Sequence, residues 1–169
     1  MSTNPSTDPS YTLTPQETAS AISWGRFVAL KSIWNGREDN HGQPLKGEPG
    51  IDISVEGSCS ESALGKIVKF PWIALVDVGK APDLAGNIQV RSTKWVLKGS
   101  LIVRPEGKNP DNLDHAYVLM LGYRPIYRCA GWIWGYEAMQ LGEWRDPAGR
   151  GGPGLSHMPN YGPSGPSRS

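Results

Sequence analysis

The run Ala116-Tyr117-Val118-Leu119-Met120-Leu121 is the most continuous apolar stretch in the chain. A strand sends successive side chains to opposite faces, so a run with no polar break buries both of them. The run is therefore expected to be the central strand of a sheet covered on each face by other elements. Ile88 to Thr93, Ser100 to Arg104 and Tyr127 to Gly135 read as further strands, the last followed by a short helix from Tyr136 to about Leu141.

Two helices are expected ahead of the strands. Thr14-Pro15-Gln16-Glu17 opens the first, with Thr as N-cap, Pro at the first helical position and Glu completing a capping box. Ala21, Trp24, Val28 and Ser32, with Ile22, Phe27, Leu30 and Ile33, give it a wide apolar stripe that Asn35-Gly36 ends. The second opens at Ser58, with Glu61 at the capping-box position, and its small residues Cys59, Ser62, Ala63 and Gly65 let another element come close. Ile51 to Val55 alternates like a brief strand, and Ile73 to Val78 reads as a strand or a buried loop. Helices followed by strands describe an α+β domain with a central mixed sheet flanked by N-terminal helices.

A chain of 169 residues, 38% hydrophobic, supports one core, and 21 glycines and 15 prolines keep the elements short. A disordered arm over 1–13, one domain over 14–161 and a disordered tail over 162–169 are expected. The net charge of +1 argues against a broad basic surface, so DNA would be held in a local groove. Cys59 and Cys129 have no disulfide or metal-site spacing, which fits a reducing setting. No secretory leader and no membrane-length apolar run is present, so a cytoplasmic protein is expected. Most of the seven tryptophans are expected in the core, with one or two left to stack on bases.

Chemistry concentrates in Pro82-Asp83-Leu84-Ala85-Gly86-Asn87-Ile88-Gln89-Val90-Arg91. On a strand, Ile88 and Val90 share one parity and Gln89 and Arg91 the other, while the turn chemistry of residues 84–87 bends Asp83 back toward Gln89. A carboxylate, an amide oxygen and a guanidinium then converge in a set suited to Mg²⁺ and a phosphate. A solvated half-exposed strand explains the same pattern. Asp52 is a rival metal ligand, and the polar run Glu38-Asp39-Asn40-His41 is read as a solvated turn.

Taken with the Glu17 helix and its Gly25-Arg26, Arg37-Glu38-Asp39, the Gly57 to Lys66 segment, the Leu101 strand and Gly131-Trp132-Ile133-Trp134-Gly135-Tyr136-Glu137-Ala138-Met139, the chain resembles small phage-encoded proteins of the PD-(D/E)XK nuclease-like superfamily. The resemblance implies a restriction-endonuclease-like core and a metal-dependent DNA nuclease in the host cytoplasm. Glu61 is then the helix-borne acid, Asp83 the metal-binding Asp, Gln89 the second ligand and Arg91 the occupant of the Lys position, around Mg²⁺ or Mn²⁺. Two departures stand out: Gln89 replaces an acid and Arg91 replaces Lys. Gln89 removes a negative charge and weakens metal binding, and Arg91 cannot act as a base at neutral pH. An inactive relative, acting as a DNA-binding or structural phage accessory protein with a phage protein partner, would carry the same substitutions.

Overall fold

The computed structural model describes residues 8–35, 47–73, 82–84, 86–95, 99–105, 110–144 and 153–155. The first helix, α1 (Pro15–Trp34), starts as its sequence dictates: Thr14 Oγ1 accepts from Glu17 N and Glu17 Oε2 accepts from Thr14 N at 2.9 Å. Asn35 closes it. Its buried stripe is Ala21, Gly25 and Ala29, whereas Phe27, Leu30, Ile33 and Trp34 are exposed. The expected stripe of large side chains gives way to small ones because the neighbouring helix lies too close for anything bulkier. A Cβ on Gly25 would sit 2.5 Å from Val55 Cα.

That neighbour, α2 (Gly47–Ile67), corrects two expectations at once. Ile51 to Val55 is helix rather than strand, and Ser58 is a buried interior residue rather than a cap. Five alternating residues fit both periods, since Ile51 and Val55 are also four apart and face the core as a helical pair. Ile53 is left outside, exposed. Gly57 does not end the helix; the nearest atom to a Cβ there is 4.0 Å away. Asp52, the rival ligand, pairs with Arg124, which also reaches Glu56 at 3.0 Å.

The main sheet has the order β1-β5-β4-β2. Its strands are β1 (Ser10–Thr12), β2 (Ile88–Thr93), β4 (Ala116–Tyr123) and β5 (Ile126–Trp134), with β2 parallel to β4 and the other pairs antiparallel. The apolar run is an inner strand, as expected, and residues 116–121 are buried throughout. The N-terminal arm needs correcting from residue 8: β1 pairs with β5, Leu13 is buried, and Asp8 pairs with Arg128. A second, smaller sheet joins β3 (Leu101–Ile102), β7 (Pro153–Leu155) and β6 (Glu143–Trp144) in the order β3-β7-β6. The helix α3 (Gly135–Leu141) follows β5 directly. The expected strand at 73–78, the loop at 146–152, the tail at 162–169 and the acidic run at 38–41 fall largely or wholly outside the described residues.

Two cores result, one on each face of the sheet. Val55, Cys59, Ala63 and Leu64 of α2 pack with Val90, Val118, Met120 and Tyr127, while Tyr117, Leu119, Leu121 and Ile133 meet Leu101, Val103 and Ala138 on the other side. A bulge between Leu119 and Met120, opposite Gly131 and Cys129, gives β5 one extra residue, and Gly131 takes φ 144°. The extra residue reverses the parity of β5, which brings Tyr127 under the helices although Ile133 faces the opposite core. Among the described residues the large buried aromatics are these tyrosines; Trp34 and Trp95 are exposed and Trp24, Trp72, Trp132 and Trp134 half-buried.

Candidate functional site

β2 is an edge strand, and the segment before it folds back along its free edge. Asp83 N and Leu84 N both donate to Ile88 O, Ile88 N donates to Leu84 O, and Gly86 adopts φ 78° in open space to make the turn. Asp83 Oδ2 then accepts from Val90 N at 2.7 Å, which satisfies an edge amide and fixes the carboxylate beside the strand. The turn reading therefore holds at Leu84, Gly86 and Asn87, the described residues of that segment. The bent-back carboxylate, however, is anchored to the Val90 amide.

Parity along β2 also holds. Val90 belongs to the core beneath α2, whereas Arg91 lies over the Tyr117 ring at 5.4 Å on the opposite face. Gln89 pairs in register with Tyr117 and shares that face. Its Nε2 lies 3.3 Å from His115 Nδ1, and the other ring nitrogen, Nε2, lies 3.2 Å from Asn112 Nδ2. Arg91 Nη2 donates to Asp111 Oδ1 at 2.8 Å, and Asp111 Oδ2 accepts from Arg104 N at 2.8 Å.

Asp111, Asn112 and His115 are held by the packing of α3. Gly135 N donates to His115 O, and a Cβ on Gly135 would lie 2.6 Å from Leu113 Cα, so only glycine lets α3 come so near the loop. Sequence reasoning missed this polar loop. The signal was present: Asp111-Asn112-Leu113-Asp114-His115 leads directly into the central strand, and parallel pairing sets residue 115 beside the start of β2.

Glu61 comes from the C-terminal half of α2, on the helical side of the sheet. Its Oε2 accepts from Trp72 Nε1 at 3.1 Å. Burial first, and then the negative charge of Asp83, push its carboxyl up to about 8, against the bond from Trp72. Burial likewise raises Asp83, opposed by the Val90 amide and by the positive fields of Arg91 and His115. Asp83 is therefore the hinge of the arrangement, in electrostatic contact with Glu61 on one side and with Arg91 and His115 on the other.

Two partly buried carboxylates that repel one another hold a proton at neutral pH or a cation in its place. Among the described residues no group of three or more His, Cys, Asp and Glu side chains is arranged to hold a metal. Mg²⁺ needs only one or two carboxylates because it keeps several waters, so the Glu61–Asp83 pair fits its chemistry, whereas Gln89, expected as the second ligand, lies on the opposite face of β2 beside His115. No helix among the described residues is long and apolar enough to cross a membrane. No family model, curated protein or solved structure matches the chain.

Proposed function

We propose that the protein is a metal-dependent DNA nuclease built on a core of the PD-(D/E)XK type, like the small phage-encoded proteins it resembles, and that it works on DNA in a host cytoplasm. The observation that carries the reading is the pair of acids: Glu61 and Asp83 come from a helix and an edge turn, burial raises the proton affinity of both, and the charge of Asp83 raises that of Glu61 further. Such an arrangement is costly without a cation and is stabilised by one. Glu61 and Asp83 would hold Mg²⁺ or Mn²⁺, which supplies Lewis-acid chemistry for phosphodiester hydrolysis. Gln89 lies on the opposite face of β2 and bonds to His115, so the ion would keep waters at its remaining positions. Arg91 neutralises charge on the phosphate, since a guanidinium cannot take up a proton at neutral pH.

One observation favours the alternative, a catalytically silent DNA-binding or structural accessory protein on the same scaffold. Arg91 is already engaged by Asp111 and Tyr117, and Gln89 by His115, so both substituted positions have structural employment. Nicking of supercoiled plasmid in Mg²⁺ or Mn²⁺ decides between the two. We expect nicking by the parent and its loss in Asp83→Ala, by more than the roughly 10–100-fold typical of outer-shell partners. An inactive parent selects the accessory role.

A further inference from the structure

The C-terminus of α2 is built in an unusual way. Phe70 N donates to Gly65 O at 2.9 Å and Lys69 N to Lys66 O at 3.3 Å, the pattern of a Schellman motif, in which the left-handed position is normally glycine. Here that position is Lys69, at φ 55°. A non-glycine residue there carries backbone strain that glycine would relieve. Lys69 is exposed, and no acidic side chain among the described residues pairs with it, whereas Lys66 is bound to Glu17 at 2.7 Å.

The turn frames a cavity of about 580 Å³ whose lining includes Ser62, Lys66, Lys69, Phe70, Pro71 and Trp72. That volume lies within the roughly 300–1,000 Å³ usual for small-ligand pockets. Phe70 is 42% exposed, an aromatic ring open to a partner, and Trp72 is the residue whose indole donates to Glu61. Two cations, an exposed ring and the Glu17 carboxylate that holds Lys66 therefore share one concave wall, which Trp72 links to Glu61.

We propose that this cavity is the strand-binding subsite of the same centre, taking one nucleotide of single-stranded DNA with its base against Phe70 and Trp72 and its phosphate at Lys69, beside the Lys66–Glu17 pair. The inference rests on the nuclease reading above. Unpaired bases offer the faces that aromatic side chains stack on, and one or two lysines suffice for a strand segment, whereas a duplex needs the broad basic surface that a net charge of +1 does not supply. The strain at Lys69 is then the structural cost of keeping a cation at the mouth of the cavity.

The test is binding of a fluorescein-labelled oligothymidylate in EDTA, read by anisotropy on the full chain, with melting curves for each variant. Phe70→Ala should weaken binding about tenfold. Lys69→Gly should weaken it too and lower the slope of log K against log salt by about 0.7, the loss of one phosphate contact, while raising the melting temperature. Lys69→Arg should bind as the parent does. Unchanged affinity in both Phe70→Ala and Lys69→Gly, equal affinity for a duplex of the same length, or no binding by the parent overturns the proposal. The two readings fail separately: Asp83-dependent nicking with unchanged affinity in both variants removes the subsite and leaves the nuclease, while variant-sensitive binding by a chain that never nicks removes the nuclease and leaves the subsite.

Discussion

Glu61, the helix-borne acid of the candidate site, has a readable thermodynamic signature. Its folded-state value of about 8 lies above the ordinary 4.5, so between those limits the folded chain binds more protons than the unfolded one. Stability is then full below about 4.5 and falls as pH rises toward 8. Asp83, raised in the same direction, adds to the decline. Glu61→Gln mimics the protonated acid, and we expect it to flatten that slope in urea unfolding midpoints taken without divalent cations. A variant with the parent's slope would show that the Glu61 carboxyl is not held in this way. Glu17 is the opposite case: its bonds to Lys66 and Thr14 hold it down at about 2, and its capping role was legible because Thr14 lies three residues away, although the pairing with Lys66 is long-range. Glu61 was harder to place. Its neighbours Trp72 and Asp83 are 11 and 22 residues away, and only the fold brings them together.

Elements repeat that division between local and long-range information. α1, β2, β4, β5 and α3 were legible because caps, parity and an unbroken apolar run lie within each segment. The start of α2 was not, because residues 51–55 satisfy both periods and only packing against α1 decides between them. β1 was missed for a related reason: three polar residues have no pattern of their own and become a strand by pairing with β5. The α1–α2 contact also reverses an ordinary expectation about glycine. At an exposed interior position of a helix, Gly→Ala stabilises by about 1 kcal/mol. At Gly25 the new Cβ would lie 2.5 Å from Val55 Cα and 2.8 Å from Ser54 O, backbone atoms that yield only if the helices part. Overpacking of this kind costs roughly 1–3 kcal/mol, which exceeds the propensity gain. Gly25→Ala should therefore lower the urea midpoint, and a rise would mean that α1 and α2 are not so closely apposed.

At the scale of the whole molecule the two cores give the sheet two different faces, and the candidate site lies where they meet. Helices cover the side that presents Glu61; α3 and the small sheet cover the side that presents Gln89 and Arg91; Asp83 stands at the open edge between. A cation bound there stabilises the folded chain by an amount that grows with its concentration over Kd, about 2.7 kcal/mol at a hundredfold excess. It must displace the proton held at Glu61, so the gain should be larger at pH 8 than at pH 5.5, and added Mn²⁺ should oppose the loss of stability expected of the cation-free protein on raising the pH. Asp83→Asn keeps an oxygen for the Val90 amide but removes the charge, so the fold should survive while the Mn²⁺ response shrinks. Differential scanning calorimetry of parent and variant, at both pH values and with and without Mn²⁺, measures every term. A Mn²⁺ shift of equal size in Asp83→Asn would move the ion elsewhere on the molecule, and no shift in the parent at pH 8 would leave the acids in a purely structural role and favour the accessory role over the nuclease.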